Sequence, residues 1–287
     1  MKHLPTQVLL SAKQLFDALW CDYIQVYPMA KCIRYGIAKA AGLKPSQLIN
    51  DHIALRTFNV DPIGIDHLEQ HFLNLGYEQA GEYHFAQKQL YARHYVPCKD
   101  VLGDNNNSHD VLPKVFLSEL KVGAFSSDFQ RIVNHLVDCI DKVNVTDPSF
   151  LYSGRPWPIS IKQYKTLLNE SDYAAWLAIW GYRANHFTIR VNELPNLQNL
   201  NQVNQVVESL GYALNLVGGA IKGDPSVGLE QSSTLAGEVV IELADGSIKV
   251  PSCFYEFALR HKINGKLYEG FVTQSADRIF QSTDLQK

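Results

Sequence analysis

The 287-residue sequence has no apolar stretch fit to cross a bilayer. Its longest uninterrupted apolar run, Tyr173 to Trp180, falls well short of the roughly 20 residues a spanning helix needs. It has no C-x-x-C pair, and its five cysteines (Cys21, Cys32, Cys98, Cys139, Cys253) are an odd number. That pattern is neither a disulfide framework nor a zinc ribbon. No sign of charge dominates: 26 basic against 29 acidic residues leave a net charge of −3, whereas a nucleic-acid binder should be basic. Met1-Lys2-His3 leads into an amphipathic stretch rather than the apolar core of a signal peptide. A soluble, cytoplasmic protein of a reducing compartment is expected, with no nucleic-acid or membrane partner. What is present is ordinary globular composition, 46% hydrophobic and 19% charged, in a chain long enough for one or two domains. The ten histidines and their neighbours carry the functional information.

The first fifty residues read as helical: Val8, Leu9, Leu15, Phe16, Leu19 and Trp20 recur at helical spacing, and Ile33 to Ala41 continues with good helix formers. Gly42-Leu43-Lys44-Pro45-Ser46 is a helix stop followed by a fresh N-cap signal. From Asp51 the texture changes to short β-type runs, and an internal repeat appears. Asp51-His52-Ile53-Ala54-Leu55-Arg56 is matched by Asn185-His186-Phe187-Thr188-Ile189-Arg190. An amphipathic segment follows each, with Ile65, Leu68, Phe72 and Leu75 in one and Leu200, Val203, Val207 and Leu210 in the other; each ends in Leu-Gly-Tyr, at 75–77 and 210–212. Further on, Phe116-Leu117-Ser118-Glu119-Leu120 lies opposite Cys253-Phe254-Tyr255-Glu256-Phe257. Three landmarks in register predict an α+β protein of two tandem βαβββ modules, 50–122 and 184–260. An N-terminal helical segment (1–49), a helical connection (123–183) and a C-terminal tail (261–287) complete one functional domain.

Successive strand side chains point to opposite faces. His52, Ala54 and Arg56 therefore share one face, as do His186, Thr188 and Arg190, while Ile53, Leu55, Phe187 and Ile189 face the other way and should pack on the module helices. Glu256 sits in a largely apolar strand, where a carboxylate is costly to bury unless paired or bound to a metal. Two histidines and a glutamate directed into one cavity form a 2-His-1-carboxylate set, which suits non-haem Fe(II) with open positions. Mn, Co, Ni and Zn accept the same ligands, so ligand type alone does not choose among them.

The tandem module with His on the first strand of each half, and Glu on the last strand of the second, resembles the vicinal oxygen chelate superfamily. Within it, the ordered strings around His52, His186 and Glu256, with Ser275-Ala276-Asp277-Arg278-Ile279-Phe280-Gln281-Ser282-Thr283, resemble the 2-oxoadipate dioxygenase/decarboxylase family, also described as 2-hydroxyglutarate synthases. The resemblance implies a partly closed barrel and an Fe(2+) centre held by His52, His186 and Glu256. It also implies an arginine, Arg56, that meets the substrate carboxylate. The implied reaction takes a 2-oxo dicarboxylic acid such as 2-oxoadipate and O2 to 2-hydroxyglutarate and CO2. His52 and Arg56 share a face roughly 13 Å apart along a strand, and a guanidinium offers a bidentate fork for a carboxylate. Described family members are longer than this chain. A glyoxalase-type isomerase or lyase, or a metal-free small-ligand module, is the alternative on such a fold.

Other signals have plainer readings. His67 and His71 lie at helical spacing, but Leu68 stands where a zincin needs Glu, so both are expected on a solvated flank. Glu119, matched to Glu256 in the repeat, leaves open a fourth ligand or the relic of a second site. Arg190 reads as structural. His84, His94 and His109 lie near turns and polar loops, His135 lies on a helix, and His261 reads as a surface residue. Cys253 faces away from Glu256 by strand parity, with no His to activate it. Gly218-Gly219 reads as a turn.

Overall fold

The computed structural model describes residues 6–98, 111–141 and 144–283. Two N-terminal helices, α1 (Thr6–Val26) and α2 (Met29–Ala41), precede the first repeat. That repeat is β1 (Asn50–Phe58), α3 (Ile65–Leu73), β2 (Tyr77–Phe85), β3 (Leu90–Pro97) and β4 (Lys114–Leu120). The connection holds α4 (Ser127–Asp138), α5 (Ile161–Glu170) and α6 (Asp172–Trp180). The second repeat is β5 (Ala184–Arg190), α7 (Leu200–Ser209), β6 (Lys222–Asp224), β7 (Leu229–Ser233) and β10 (Phe254–Arg260). A hairpin, β8 (Glu238–Leu243) with β9 (Gly246–Pro251), is inserted before β10, at the place where the first repeat has residues 98–113. The small β11 (Lys262–Ile263) and β12 (Lys266–Leu267) and a final helix, α8 (Thr273–Phe280), follow. The polar loop expected at Val101–His109 lies outside the described residues. No helix among the described residues is long and apolar enough to cross a membrane.

Eight strands form one curled half-barrel sheet in the order β2-β3-β4-β1-β5-β10-β7-β6. Each repeat supplies four neighbouring strands, and the two halves join where β1 pairs antiparallel with β5. Within each half the first and last strands run parallel, β1 beside β4 and β5 beside β10. The repeated Leu-Gly-Tyr has a physical role: Gly76 (φ 76°) and Gly211 (φ 85°) take the left-handed conformation that stops each module helix. The N-cap signal after Gly42 forms only a 3-10 turn, Pro45–Gln47, before β1 begins.

The apolar strand face is covered as expected in part. Ile65, Leu68 and Phe72 of α3 and Leu200, Val203 and Val207 of α7 are buried. Phe187, however, packs on Trp20 and Tyr23 of α1, at 5.0 and 5.1 Å between ring centroids, so an N-terminal helix shares that work. The concave face is roofed by α6, buried from Tyr173 to Trp180, and by α8. A helix apolar all round belongs inside a protein, and α6 is held there by Trp176 and Trp180 donating to the carbonyls of Ser252 and Pro251.

Candidate metal centre

The seam between β1 and β5 places both repeat histidines on the concave face, with His52 opposite Thr188 and Ala54 opposite His186. Parallel pairing then sets Glu256 beside Thr188. His52 Nε2 lies 3.3 Å from Glu256 Oε1, and His186 Nε2 lies 3.2 Å from Glu256 Oε2. The three residues are buried, and their ligand atoms lie within 4.8 Å of one another. Neighbouring donors on a metal with bonds of about 2.1 Å sit roughly 3 Å apart, so this spacing suits a bound ion. Glu256 Oε2 is buried and accepts no hydrogen bond among the described residues, while Oε1 takes one from Gln231 Nε2 at 2.6 Å. A buried carboxylate oxygen without a donor is costly, and a metal would satisfy it. The donor set fits such a group.

The residue before each histidine fixes which ring nitrogen is free. The β1–β5 register shifts at Asp51 and again at Asn185, so each is the extra residue of a β-bulge. A bulge re-aims its side chain, and both reach back to the neighbouring ring. His52 Nδ1 donates to Asp51 Oδ1 at 2.8 Å and His186 Nδ1 to Asn185 Oδ1 at 3.1 Å, leaving each Nε2 as the free acceptor. Thr188 Oγ1 lies 3.0 Å from His52 Nε2 and donates to it in that tautomer.

The electrostatics of the two rings differ through those partners. Burial opposes a charge on His52, but Glu256 and Asp51 outweigh it and hold the pKa above the usual histidine value. Burial wins at His186, whose neighbour is a neutral amide, and pushes it down to about 3 against the pull of Glu256. Glu256 is held below its usual value despite complete burial, chiefly by the two imidazoles. Burial also opposes the Asp51 charge, yet the Arg260 guanidinium holds that carboxyl well below the usual range.

Arg56 is buried on the same face. Its Nη2 donates to Thr283 Oγ1 at 3.1 Å, and its guanidinium stacks over Tyr173 (4.9 Å) and Trp176 (4.8 Å) of α6 and Phe280 (5.7 Å) of α8. Phe280 also lines the cavity beside the candidate ligands, together with Phe116, Gln231, Phe271, Ala276 and Ile279. Free space there is about 20 Å³, room for a water or two.

The register corrects the expectation for Glu119. Lys114 lies opposite His52 as Phe254 lies opposite His186, so the counterpart of Glu256 is Phe116, three residues before Glu119. Glu119 points to the other face, where its Oε2 accepts the Ile65 N–H at the start of α3, 2.9 Å away. His71 is also corrected. It is buried, not solvated: Nε2 donates to the Val145 carbonyl at 2.9 Å, and burial lowers its pKa. His67 is exposed beside Asp61. His94, read as lying near a turn, is a buried β3 residue whose pKa burial pushes down to about 4. His261 pairs with Glu230 at 2.8 Å, half-buried. Arg190 lies 3.6 Å from Asp51 and 3.7 Å from Glu269. Cys253 is buried, its Sγ donating to the Ala184 carbonyl and its pKa pushed up to about 12 by burial, which leaves no reactive thiolate.

Residues that sequence reasoning did not single out complete the surroundings: Asp51, Asn185, Gln231, Phe271 and Arg260. A signal for the first two was the Asp/Asn shared by both repeat motifs. For Arg260 it was the four-residue offset from Glu256, the same as from His52 to Arg56.

The model of the 2-oxoadipate dioxygenase/decarboxylase family matches residues 28–153 and 141–266. The chain belongs to that family. The chloroplastic 2-oxoadipate dioxygenase/decarboxylase of Arabidopsis thaliana is 34% identical over 83% of this chain and 68% of its own. The hydroxyglutarate synthase of Oryza sativa, solved in complex with 2-oxoadipate, superposes with a TM-score of 0.89 at 31% identity, over 99% of this chain and 95% of that one. A structure from Shewanella frigidimarina, named only as a hydrolase, is 44% identical with a TM-score of 0.83, over 91% and 98%. The two βαβββ halves are those of the vicinal oxygen chelate fold, as the family resemblance implied.

Proposed function

We propose that the protein is an Fe(II)-dependent dioxygenase and decarboxylase of a 2-oxo dicarboxylic acid, converting 2-oxoadipate and O2 into 2-hydroxyglutarate and CO2. One observation carries the reading: two histidines, their tautomers fixed from behind, present Nε2 to opposite oxygens of one buried glutamate. His52, His186 and Glu256 would hold the iron, which supplies a Lewis acid for the 2-oxo acid and a partner for O2.

The chain's own residues bind, orient and shield. Asp51 and Asn185 keep the imidazoles aimed, and Gln231 fixes the Glu256 carboxylate. Arg56 holds the distal carboxylate, its charge always present and its plane fixed between aromatic rings. Phe116, Phe271, Ile279 and Phe280 exclude water from the reacting end. A six-carbon diacid exceeds the free space beside the ligands, so α8 or the segment carrying Phe271 moves to admit it.

The test is anaerobic purification, metal analysis, then O2 uptake and CO2 release across a panel of 2-oxo acids. One iron per chain is expected, with O2 consumed and CO2 released in equal amounts and 2-oxoadipate among the best substrates. Turnover without O2, or full activity without metal, would overturn the reading.

A further inference from the structure

Residues 261–272 run from the end of β10 past the site to α8, a strap that carries Phe271 over the candidate ligands. Phe271 lies edge-on to His52, 4.8 Å between ring centroids. Arg190 bridges loosely from Asp51 (3.6 Å) to Glu269 in this strap (3.7 Å), but a fully hydrogen-bonded side chain makes the closer tie to the machinery behind His52. Arg260 is fully buried, and its Nε and Nη2 donate to the two oxygens of Asp51, each at 2.7 Å. Its Nη1 donates to the carbonyls of Tyr268 and Gly270 at 3.0 and 2.8 Å. Asp51 Oδ1 is the same atom that accepts from His52 Nδ1.

We propose that Arg260 is a positioning residue coupling closure of the 261–272 strap to the orientation of His52, so that holding a metal and covering the site favour each other. This rests only on the metal-binding part of the functional reading. The guanidinium is planar and its donors are fixed in a fork, so the carboxylate on one edge and the carbonyls on the other hold each other in place. A lysine could keep the charge beside Asp51 but could not span both edges. With the strap displaced, the two carbonyls leave Arg260, and the bidentate grip that orients Asp51 loosens with them. Coupling of this kind is reciprocal: whatever the closed strap adds to metal affinity, a bound metal returns as strap closure.

Two measurements without substrate test it. One is the Co(II) dissociation constant; the other is amide hydrogen exchange across Tyr268–Phe271 with and without Co(II). In the unaltered protein, Co(II) should slow exchange in the strap. Arg260→Met should bind Co(II) about 10- to 100-fold more weakly, the usual cost of losing a partner behind a ligand, and Co(II) should no longer protect the strap. Arg260→Lys should recover much of the affinity without the protection. If Arg260→Met does not fold, Glu269→Gln serves, since it loosens the strap from outside by removing the ion pairs of Glu269 with Lys114 (2.5 Å) and Arg190 (3.7 Å). It should weaken Co(II) binding severalfold. Undiminished affinity or protection in Arg260→Met, or undiminished affinity in Glu269→Gln, overturns the coupling. An unaltered protein that binds Co(II) without strap protection rejects the coupling alone. One that binds no Co(II) rejects the metal reading as well.

Discussion

The two repeats begin alike and end differently. Each opens with a strand that bulges at Asp51 or Asn185, holds a histidine by Nδ1 and carries an arginine four residues on. At the matching place on the last strand, the second repeat has Glu256 and the first has Phe116. One carboxylate between two imidazoles makes a three-ligand set with room for substrate. A second in its place would crowd the ion and add a buried charge. The arginines diverge too: Arg56 is enclosed by aromatic rings on the concave face, while Arg190 neighbours Asp51 and Glu269 near the strap. The repeat supplies the histidine twice, and its asymmetry leaves one site at the seam.

The sharpest way to break this contrast is to remove the acid that only one half supplies. Glu256→Ala should abolish metal binding and cut O2 uptake by three orders of magnitude or more, about 4 kcal/mol of barrier, with circular dichroism unchanged. Its apparent partner in the sequence, Glu119, accepts a helix N-terminal N–H, and Glu119→Gln should keep uptake within about twofold while costing roughly 0.5–1 kcal/mol of stability. Equal losses in both would restore Glu119 as a site residue.

Giving the first repeat the missing acid tests the same point from the other side. Phe116→Glu buries a carboxylate in an apolar wall near Glu256 and loses an aromatic core side chain. Without metal it should cost about 3–5 kcal/mol, read from denaturant unfolding. Because a metal would relieve part of that charge, the rise in Tm on adding Zn(II) should exceed that of the unaltered protein. An equal or smaller rise would mean that position 116 does not face the ion.

The arginines separate next. Arg56→Met should raise KM for a 2-oxo dicarboxylate about 100-fold, near 2.7 kcal/mol, and do little to a 2-oxo monocarboxylate of the same length. Arg190→Met should change the same KM by less than about threefold. If the two behave alike, Arg56 does not read the distal carboxylate.

How much of this was legible follows from what strand parity can and cannot carry. His52, His186 and Glu256 could be brought to one face because side chains alternate along a strand and the repeat fixed which strands correspond. The three-residue slip between Glu119 and Phe116 could not be read, because similar strings were aligned by residue type whereas hydrogen-bond register decides what lies opposite what. The bulges at Asp51 and Asn185 hid in the same way: parity alone turns both residues to the far face. The burial of Arg260 could not be read either, because the carboxylate that permits it is Asp51, 209 positions away.

His71 supplies the mildest test, and it concerns the first repeat alone, since its place at the last turn of α3 has no histidine counterpart in α7. Burial lowers its pKa, so the fold prefers the neutral ring, whose Nε2–H donates to Val145. The unfolded chain, with a histidine pKa near 6.5, then takes up the proton more readily than the folded one. Its contribution is therefore intact above about pH 6.5 and declines as the pH falls below that, with a slope of at most about 1.4 kcal/mol per pH unit. In His71→Gln the amide can still donate to the carbonyl, but nothing titrates. Denaturant midpoints followed from pH 7.5 to 5.5 should fall less steeply in His71→Gln than in the unaltered protein. The gap should stay the same when the comparison is repeated in Glu256→Ala, because the ring lies on a helix that covers the opposite face of the sheet from the metal ligands. Parallel slopes would mean that His71 accepts a proton in the folded state as easily as in the unfolded one.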